Sequence, residues 1–494
     1  MGAKEECGIA GVYLKQGELK SVPHSLYGML SQLQHRGQLS AGVAVFNSQR
    51  KEGDKIIKNL KEVGKVNDLF KVTKPECESI INYLEGEAGI GHVRYATSGS
   101  EDYLHQIEEA QPFLRRHGRP WKRFAIAFNG NISNQVDLRE KMKEEGYILD
   151  TFVDTELIMH LFSLSLKKHE KNIEGKSVKP DMFLVVKEVM EKLEGAYNVV
   201  MIFADGDMIV FRDPRGFRPL VFGENENFLG VASESVALEK IGIENSREVE
   251  PGSCIIFNKN NFEERKLLDK QKSRCHFERV YFSRADSFID NKSVHSTRDK
   301  LGLNLAESEP LREIAKNNSD YLVVPVPNTA ITAAESFAHS LGLRLSMAIT
   351  RNETDRGFIN KTNERKRIMN KKYGIISEKV LGKKLIVIDD SIVRGETSRK
   401  VVALLRNAGA SEIHLRSTEP MIKFPCFYGV DFATKQELIA NKFNWDIEKN
   451  IAKDLGADSV FFQTTEGLID ACGFDKNELC LACVNGEYPT SYNI

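Results

Sequence analysis

Two adjacent carboxylates, Asp389 and Asp390, close the apolar run Leu385–Ile388. They are followed by a short polar loop and a helix-forming stretch, SIVRGETSRKVVALLRNAGA. Carboxylates side by side repel each other and gain nothing from burial unless something cationic sits between them. A strand, a turn and a helix place such a pair on the carboxyl rim of an open α/β sheet, where these sheets take their ligands. The helix start offers free backbone N–H groups and the positive end of a dipole to a phosphate. The pair therefore suits Mg²⁺ or the hydroxyls of a ribose. The plainer alternative is a Rossmann-like strand–helix turn with incidental acids.

Cysteines supply two further candidates. Cys7 opens the apolar segment CGIAGVYL, where a cysteine is ordinarily a packing residue. Removal of the first six residues, MGAKEE, changes that. Cys7 would then carry a thiol and a free α-amine, and an amine with a pKa of about 8 can act as general base for the thiol beside it. With the six residues attached, the same nitrogen is an amide and has no such capacity. Cys480 and Cys483 form a CxxC whose spacing lets two thiolates reach one metal centre. A closed site needs two more donors, and spacing does not separate iron–sulfur from tetrathiolate zinc.

These groups need scaffolds, and the chain has room for them: 494 residues imply two to four domains. Lys plus Arg (69) balances Asp plus Glu (70), so no charge excess points to nucleic acid or an anionic membrane. No apolar stretch has the length of a membrane span, and the N-terminus lacks a signal-peptide core. A cytoplasmic protein with reduced cysteines is expected. In the first half, CGIAGVYL, AGVAVF, AGIGHVRYAT, RFAIAFNGNI, NVVMIFADGDMIVFRD and FLGVASES read as strands of a mostly antiparallel sheet. SLYGMLSQLQHRG and TELIMHLFSLSLKKH read as helices. The second half, from about Phe277, alternates strand and helix in a parallel-sheet pattern, and the junction is expected within Arg247 to Lys272. The fold class is α+β followed by α/β.

The string DDSIVRG resembles the phosphoribosyl diphosphate (PRPP) motif of phosphoribosyltransferases and narrows it to the amidophosphoribosyltransferases. CGIAG, QHRGQ (Gln34 to Gln38), GHVRYATSG, FNGNI and VDTE follow in the order of that family's N-terminal-nucleophile glutaminases. The resemblance implies an αββα glutaminase domain over 7–250, after a propeptide of 1–6, and a type I phosphoribosyltransferase domain with a cluster-binding tail over 251–494. It implies Cys7 as nucleophile, Asn129 and Gly130 as oxyanion hole, and Arg94 and Asp154 as holders of the carboxylate and amine of glutamine. Taken singly, Arg94 reads as a surface arginine, Asn129–Gly130 as a hairpin turn and Asp154 as a helix N-cap. PRPP would be held by Asp389, Asp390, Ser391, Arg394, Gly395, Thr397 and Ser398, with Mg²⁺ on Thr329, Asp389 and Asp390.

Cys275, Cys426, Cys480 and Cys483 match the cysteines of the family branch that carries a structural, oxygen-sensing [4Fe–4S] cluster. Cys77, Cys254 and Cys472 match nothing and are expected as buried apolar side chains. The resemblance further implies a dimer or tetramer of identical chains, inhibition by purine nucleotides, and synthesis of 5-phosphoribosylamine, glutamate and pyrophosphate from PRPP, glutamine and water, the first committed step of purine synthesis.

The chain departs from the family pattern around the sugar-diphosphate site. Asn328 stands for an acid, the closing loop Arg351 to Ile359 is one residue shorter with Glu353, Thr354 and Asp355 substituted, Glu396 stands for a threonine, and Glu419-Pro420-Met421 stands for Ser-Pro-Pro. Leu39 and Phe128 replace an acid and a histidine in the first half. Several of these changes add negative charge near an anionic ligand. At about 4 Å and an effective dielectric of about 20, one unit charge against another is worth roughly 4 kcal/mol. The milder reading turns Glu396 outward, with Arg351, Arg356 and the basic run NERKRIMNKK compensating. The alternative is a divergent paralogue with weakened or lost PRPP activity, acting as a glutaminase or a regulatory partner. A third class, the Cys-terminal amidotransferases that make asparagine or glucosamine phosphate, lacks the second domain and with it any use for Asp389–Asp390.

Overall fold

A computed structural model describes residues 7–50, 53–95, 103–258, 261–351, 373–432 and 434–491. The expected propeptide 1–6, the end of the GHVRYATSG segment (96–99), and the substituted closing loop and basic run (352–372) lie outside the described residues.

Strand Gly8–Leu14 is apolar almost throughout because both of its faces are covered. Ile9 and Tyr13 enter a core between two sheets, whereas Ala10 and Val12 pack against the helix Ser21–Gln32. The two-residue period of a strand separates these two cores. The same alternation runs through Phe124–Ile132: Phe124, Ile126 and Phe128 face helices Asp154–His169 and Met182–Lys192, and Ala125 and Ala127 face the other sheet. Small residues on the inner side let the sheets approach, and large ones on the outer side fill the space beneath the helices.

The result is four layers, helix–sheet–sheet–helix. A seven-stranded sheet has Gly8–Leu14 between Phe228–Ala232 and Ala88–Arg94. A six-stranded sheet has Phe124–Ile132 beside Gly195–Phe203. Strands Ser253–Asn258 and Asn261–Lys266 complete the six-stranded sheet, so this unit runs past residue 250, where sequence reading ended it, to Lys266. A hydrophobic-to-polar change in composition marks the outermost, half-exposed strand there and not a domain boundary.

The second unit is a five-stranded parallel sheet ordered Arg344–Leu345, Tyr321–Pro325, Lys384–Asp389, Glu412–Ser417, Ser459–Phe462. Leu385 and Val387 face helix Glu396–Asn407, and Ile386 and Ile388 face helix Ile331–Leu341. Burial on both faces explains the unbroken apolar run before the two acids. No helix among the described residues is long and apolar enough to cross a membrane.

A buried ion pair braces this sheet. Arg416 forks onto Glu309 through Nε (2.6 Å) and Nη2 (2.7 Å), and both side chains are sealed from solvent. Removing one partner strands the other charge, at a cost of about 3–5 kcal/mol. Arg416→Met is expected to lower the urea midpoint of unfolding accordingly, and the double change Arg416→Met/Glu309→Leu to recover most of the loss. A single variant as stable as the parent would contradict the brace.

Candidate active sites

Antiparallel pairing of Gly8–Leu14 with Ala88–Arg94 sets Gly8 opposite Val93, so Cys7 and Arg94 emerge at the same end of the sheet. The Cys7 thiol donates to the Tyr95 carbonyl at 3.6 Å, and Arg36 Nε donates to the Cys7 carbonyl at 3.3 Å. Burial pushes the Cys7 thiol above its ordinary pKa, opposed by the Tyr95 contact and by the Arg94 and Arg36 charges. The thiolate is thus not preformed, and this cysteine needs a base to act as a nucleophile. Gly37, in the QHRGQ turn, lies so close to Arg94 that an added Cβ would meet the Arg94 carbonyl carbon at 2.6 Å. Only glycine lets that turn close over the strand end.

Asn129 and Gly130 lie inside strand Phe124–Ile132, opposite Asn198 and Tyr197, and do not form a hairpin turn. Asn129 is buried and its Nδ2 reaches Ser233 Oγ at 3.4 Å; the same hydroxyl accepts the Ile9 N–H at 3.0 Å. One serine thereby ties the amide of Asn129 to the strand that begins after Cys7. Gly130 has φ 152°, and a Cβ there would sit 2.0 Å from the Ala196 carbonyl oxygen. The position admits no side chain.

Arg94 is 4% exposed, which excludes a surface arginine. Its Nη2 pairs with Glu109 at 2.5 Å, and its Nη1 is buried without a hydrogen-bond partner among the described residues. Asp154 is the first residue of its helix and caps nothing: Val153 occupies the cap position. Asp154 Oδ2 accepts the Ile132 N–H at 2.9 Å, while Oδ1 is buried with no partner among the described residues. Burial raises its carboxyl to about 6, against the Ile132 bond and the Arg139 charge. A buried cationic atom and a buried anionic atom, both left short of a partner, are the complement of an amino acid's carboxylate and ammonium.

In the second unit, Asp389 ends its strand and Asp390 follows, both nearly buried. Asp389 Oδ1 accepts the Asp390 N–H at 3.0 Å, Ser391 Oγ donates to Asp390 Oδ1 at 2.7 Å, and Thr329 Oγ1 donates to Asp390 Oδ2. Thr418, at the end of the neighbouring strand, donates its N–H to the Asp389 carbonyl (3.0 Å) and its hydroxyl to the Asp390 carbonyl (3.1 Å). Gly395 precedes helix Glu396–Asn407 with φ 75°. Ser398 is buried, Thr397 is half-buried and Glu396 is exposed. Arg394 pairs with Glu437 at 2.9 Å and lies 3.7 Å from Asp431, so its charge is already engaged.

The four cysteines expected as one group lie in two packed clusters that share Cys426. Arg274–Cys275 pairs in parallel with Leu479–Cys480, which sets Cys275 beside Cys480. Cys426 Sγ accepts the Tyr428 N–H at 3.4 Å, and the Cys483 carbonyl accepts the N–H groups of Lys423 and Phe424. Burial pushes the Cys275 thiol up to about 12, opposed by the Arg218 charge and aided by Glu278 and by a charge on Cys426. Charges on Cys275, Cys426 and Cys480 would each raise Cys483 in the same way. All eight cysteines are free. Among the described residues no three His, Cys, Asp or Glu side chains gather closely enough to hold a metal ion. Cys254 and Cys472 are buried as expected, whereas Cys77 is only half-buried.

Ser233, Glu109, Thr418 and His276 carry no site signal in the sequence, and Glu419 stands out there only as a departure from the family pattern. Their types are ordinary, and only long-range contact gives them a role. A polar SES directly after an apolar strand was the one local signal at Ser233.

Residues 102–240 match the model of a glutamine amidotransferase domain, and residues 306–417 that of a phosphoribosyl transferase domain. The chain is 38% identical to the amidophosphoribosyltransferase of Methanothermobacter thermautotrophicus, over 99% of this chain and 95% of that protein. It is 35% identical to the enzyme of the same name from Bacillus subtilis over the same shares. The solved structure of the B. subtilis glutamine PRPP amidotransferase complexed with ADP and GMP matches with a TM-score of 0.83 at 33% identity, covering 99% of this chain and 98% of that one. A structure described as the allosteric regulatory enzyme of purine biosynthesis matches at 0.84 and 33%, covering 99% and 97%.

The Asp154 carboxyl sets a pH test. Its folded pKa lies above the unfolded value, so the folded state holds the proton more tightly, and stability is full below about pH 4 and falls as pH rises through about 6. Asp154→Asn removes that loss. The variant is expected to be more stable than the parent at pH 8 by up to roughly 3 kcal/mol, with little gain at pH 4. Urea midpoints that differ equally at both values would contradict a buried, uncompensated carboxylate.

Proposed function

The chain belongs to the amidophosphoribosyltransferases, and from that premise we propose that glutamine is hydrolysed at Cys7 and its nitrogen is passed to PRPP, giving 5-phosphoribosylamine and pyrophosphate. The observation that carries this reading is that one chain holds both ends of the reaction. A half-buried Cys7 thiol feels the charge of Arg94, which keeps one buried atom short of a partner, the Asp154 carboxylate supplies a second such atom, and a sheet rim bears two acids.

In the first half-reaction, removal of 1–6 frees the Cys7 amine to take the thiol proton. Arg94 Nη1 receives the substrate carboxylate and Asp154 Oδ1 its ammonium. The thiolate adds to the side-chain carbonyl, and the Asn129 amide and Gly130 N–H stabilise the oxyanion. Collapse expels ammonia and leaves a thioester, which water hydrolyses to glutamate. In the second, ammonia crosses to the parallel sheet and attacks the anomeric carbon, displacing pyrophosphate. Asp389 and Asp390 hold the ribose hydroxyls, and the N–H groups before Glu396–Asn407 hold the 5-phosphate. Arg394, engaged with Glu437, orients the loop. The exposed position of Glu396 favours an active site over a disabled paralogue.

Mg²⁺ fits this rim. It keeps its waters and substrate oxygens and takes one or two protein carboxylates, so Thr329, Asp389 and Asp390 suffice without a third acid. When bound it offsets charge on the departing pyrophosphate. Two buried and two half-buried cysteines whose thiols feel one another's charge fit a cationic group held by Cys275, Cys426, Cys480 and Cys483. Spacing does not separate iron–sulfur from tetrathiolate zinc, and it is the resemblance to the cluster-bearing branch of the family that assigns these residues to a four-iron cluster with a structural role. Cytoplasmic dimers or tetramers, and inhibition by purine nucleotides such as those bound by the B. subtilis relative, accompany this reading.

Anaerobically purified protein is expected to release glutamate in proportion to PRPP and Mg²⁺, to carry about four irons per chain, and to show an intact mass lacking Met1–Glu6. Glutaminase activity from a chain still bearing Met1 would exclude the amine as base. Cys7→Ala is expected to lose glutamine-dependent transfer and keep transfer from added ammonia. Asp389→Asn is expected to lower kcat/KM for PRPP about a hundredfold with either nitrogen source. Glutamate release indifferent to PRPP would overturn the assignment.

A further inference from the structure

His276 and Glu419 form a sealed pair between the cysteine group and the acidic rim. The ring Nε2 lies 2.7 Å from Glu419 Oε1, and both side chains are at most 1% exposed. Ring Nδ1 lies 2.7 Å from the Cys480 carbonyl oxygen, which only accepts, so Nδ1 is a donor. Nε2 is also 4.0 Å from Cys483 Sγ. On the other side, Ser417 Oγ donates to the Glu419 carbonyl at 2.7 Å, and Thr418 between them holds the carbonyls of Asp389 and Asp390. Hydrogen bonds thus run from the CxxC turn through His276 to Glu419, and its chain neighbour Thr418 carries the next ones to the acid pair.

This arrangement is not what stability alone would choose. Glu419 Oε2 is buried without a hydrogen-bond partner among the described residues, which costs folding free energy that two apolar side chains in the same space would not. The serine that the family pattern has at this position is too short to reach the ring. The longer acid builds the bridge.

We propose that His276 and Glu419 are positioning residues that couple the cysteine group to the sugar-diphosphate site, so that order at the CxxC turn and order at Asp389–Asp390 support each other. The proposal rests on PRPP binding at that rim. Linkage makes the coupling reciprocal: if an intact CxxC turn favours PRPP, bound PRPP must protect the turn.

The test needs no iron. In reduced, metal-free full-length protein, labelling of Cys480 and Cys483 by a disulfide reagent is followed by peptide mass spectrometry with and without PRPP and Mg²⁺, and PRPP affinity is measured by calorimetry. Bound PRPP is expected to slow labelling by about fivefold in the parent, the low end of usual coupling. Glu419→Ser is expected to abolish that protection and weaken PRPP binding by a similar factor. Glu419→Gln, which still reaches the ring, retains both effects. The urea midpoint of unfolding is measured for every variant and reports folding. His276→Leu/Glu419→Leu leaves no stranded polar atom and is expected to behave as Glu419→Ser, which keeps the comparison if the single variant fails to fold. A parent that binds PRPP but gains no protection, or a Glu419→Ser protein that binds and is protected like the parent, overturns the coupling alone. A parent that does not bind PRPP overturns the assigned site and the coupling with it.

Discussion

A ladder of buried charge holds the two units in register. Arg36 pairs with Glu234 at 2.6 Å and with Glu278 at 2.6 Å, and Glu278 also accepts from Arg218 at 3.2 Å. Arg218 in turn donates to the Tyr428 carbonyl at 2.5 Å, and the Phe217 and Tyr428 rings stack at 4.1 Å. Burial alone would raise the Glu234 carboxyl, yet His35 and Arg36 hold it well below the usual range. Two arginines and two acids removed from water tolerate little displacement, because any shift strands a charge. Geometry is therefore fixed at the seam, where Arg36 also holds the Cys7 carbonyl and Tyr428 holds Cys426.

That rigidity serves opposite electrostatic needs on its two sides. The first unit keeps single atoms of Arg94 and Asp154 short of partners, a standing cost met by the sheets that bury them. The second unit satisfies its paired acids internally through Ser391, Thr329 and backbone groups. One unit is left short of partners and the other is self-paired.

The cysteines sit where the seam and the C-terminal tail meet. Cys275 follows the last strand of the first unit, and Cys480 and Cys483 come from the tail, brought together by a two-residue parallel pairing. Such a short ladder contributes little by itself. The surrounding aromatic core of Phe277, Phe282 and Phe432 supplies the remainder.

The sequence by itself determined the strand–helix alternation, the acid rim after an unbroken apolar run, and the order of the glutaminase segments, because each is written in local periodicity or contiguous motif. It located the junction only to within Arg247 to Lys272, since an edge strand such as Asn261–Lys266 is half exposed and reads like linker. Tertiary structure alone decided that Arg94 is buried, that Asn129–Gly130 is strand, that Arg394 faces Glu437 and that His276 meets Glu419. Partners such as these stand far apart along the chain, and no local pattern encodes which side chains will share a dry interior where an unpaired charge or hydrogen-bonding atom is costly.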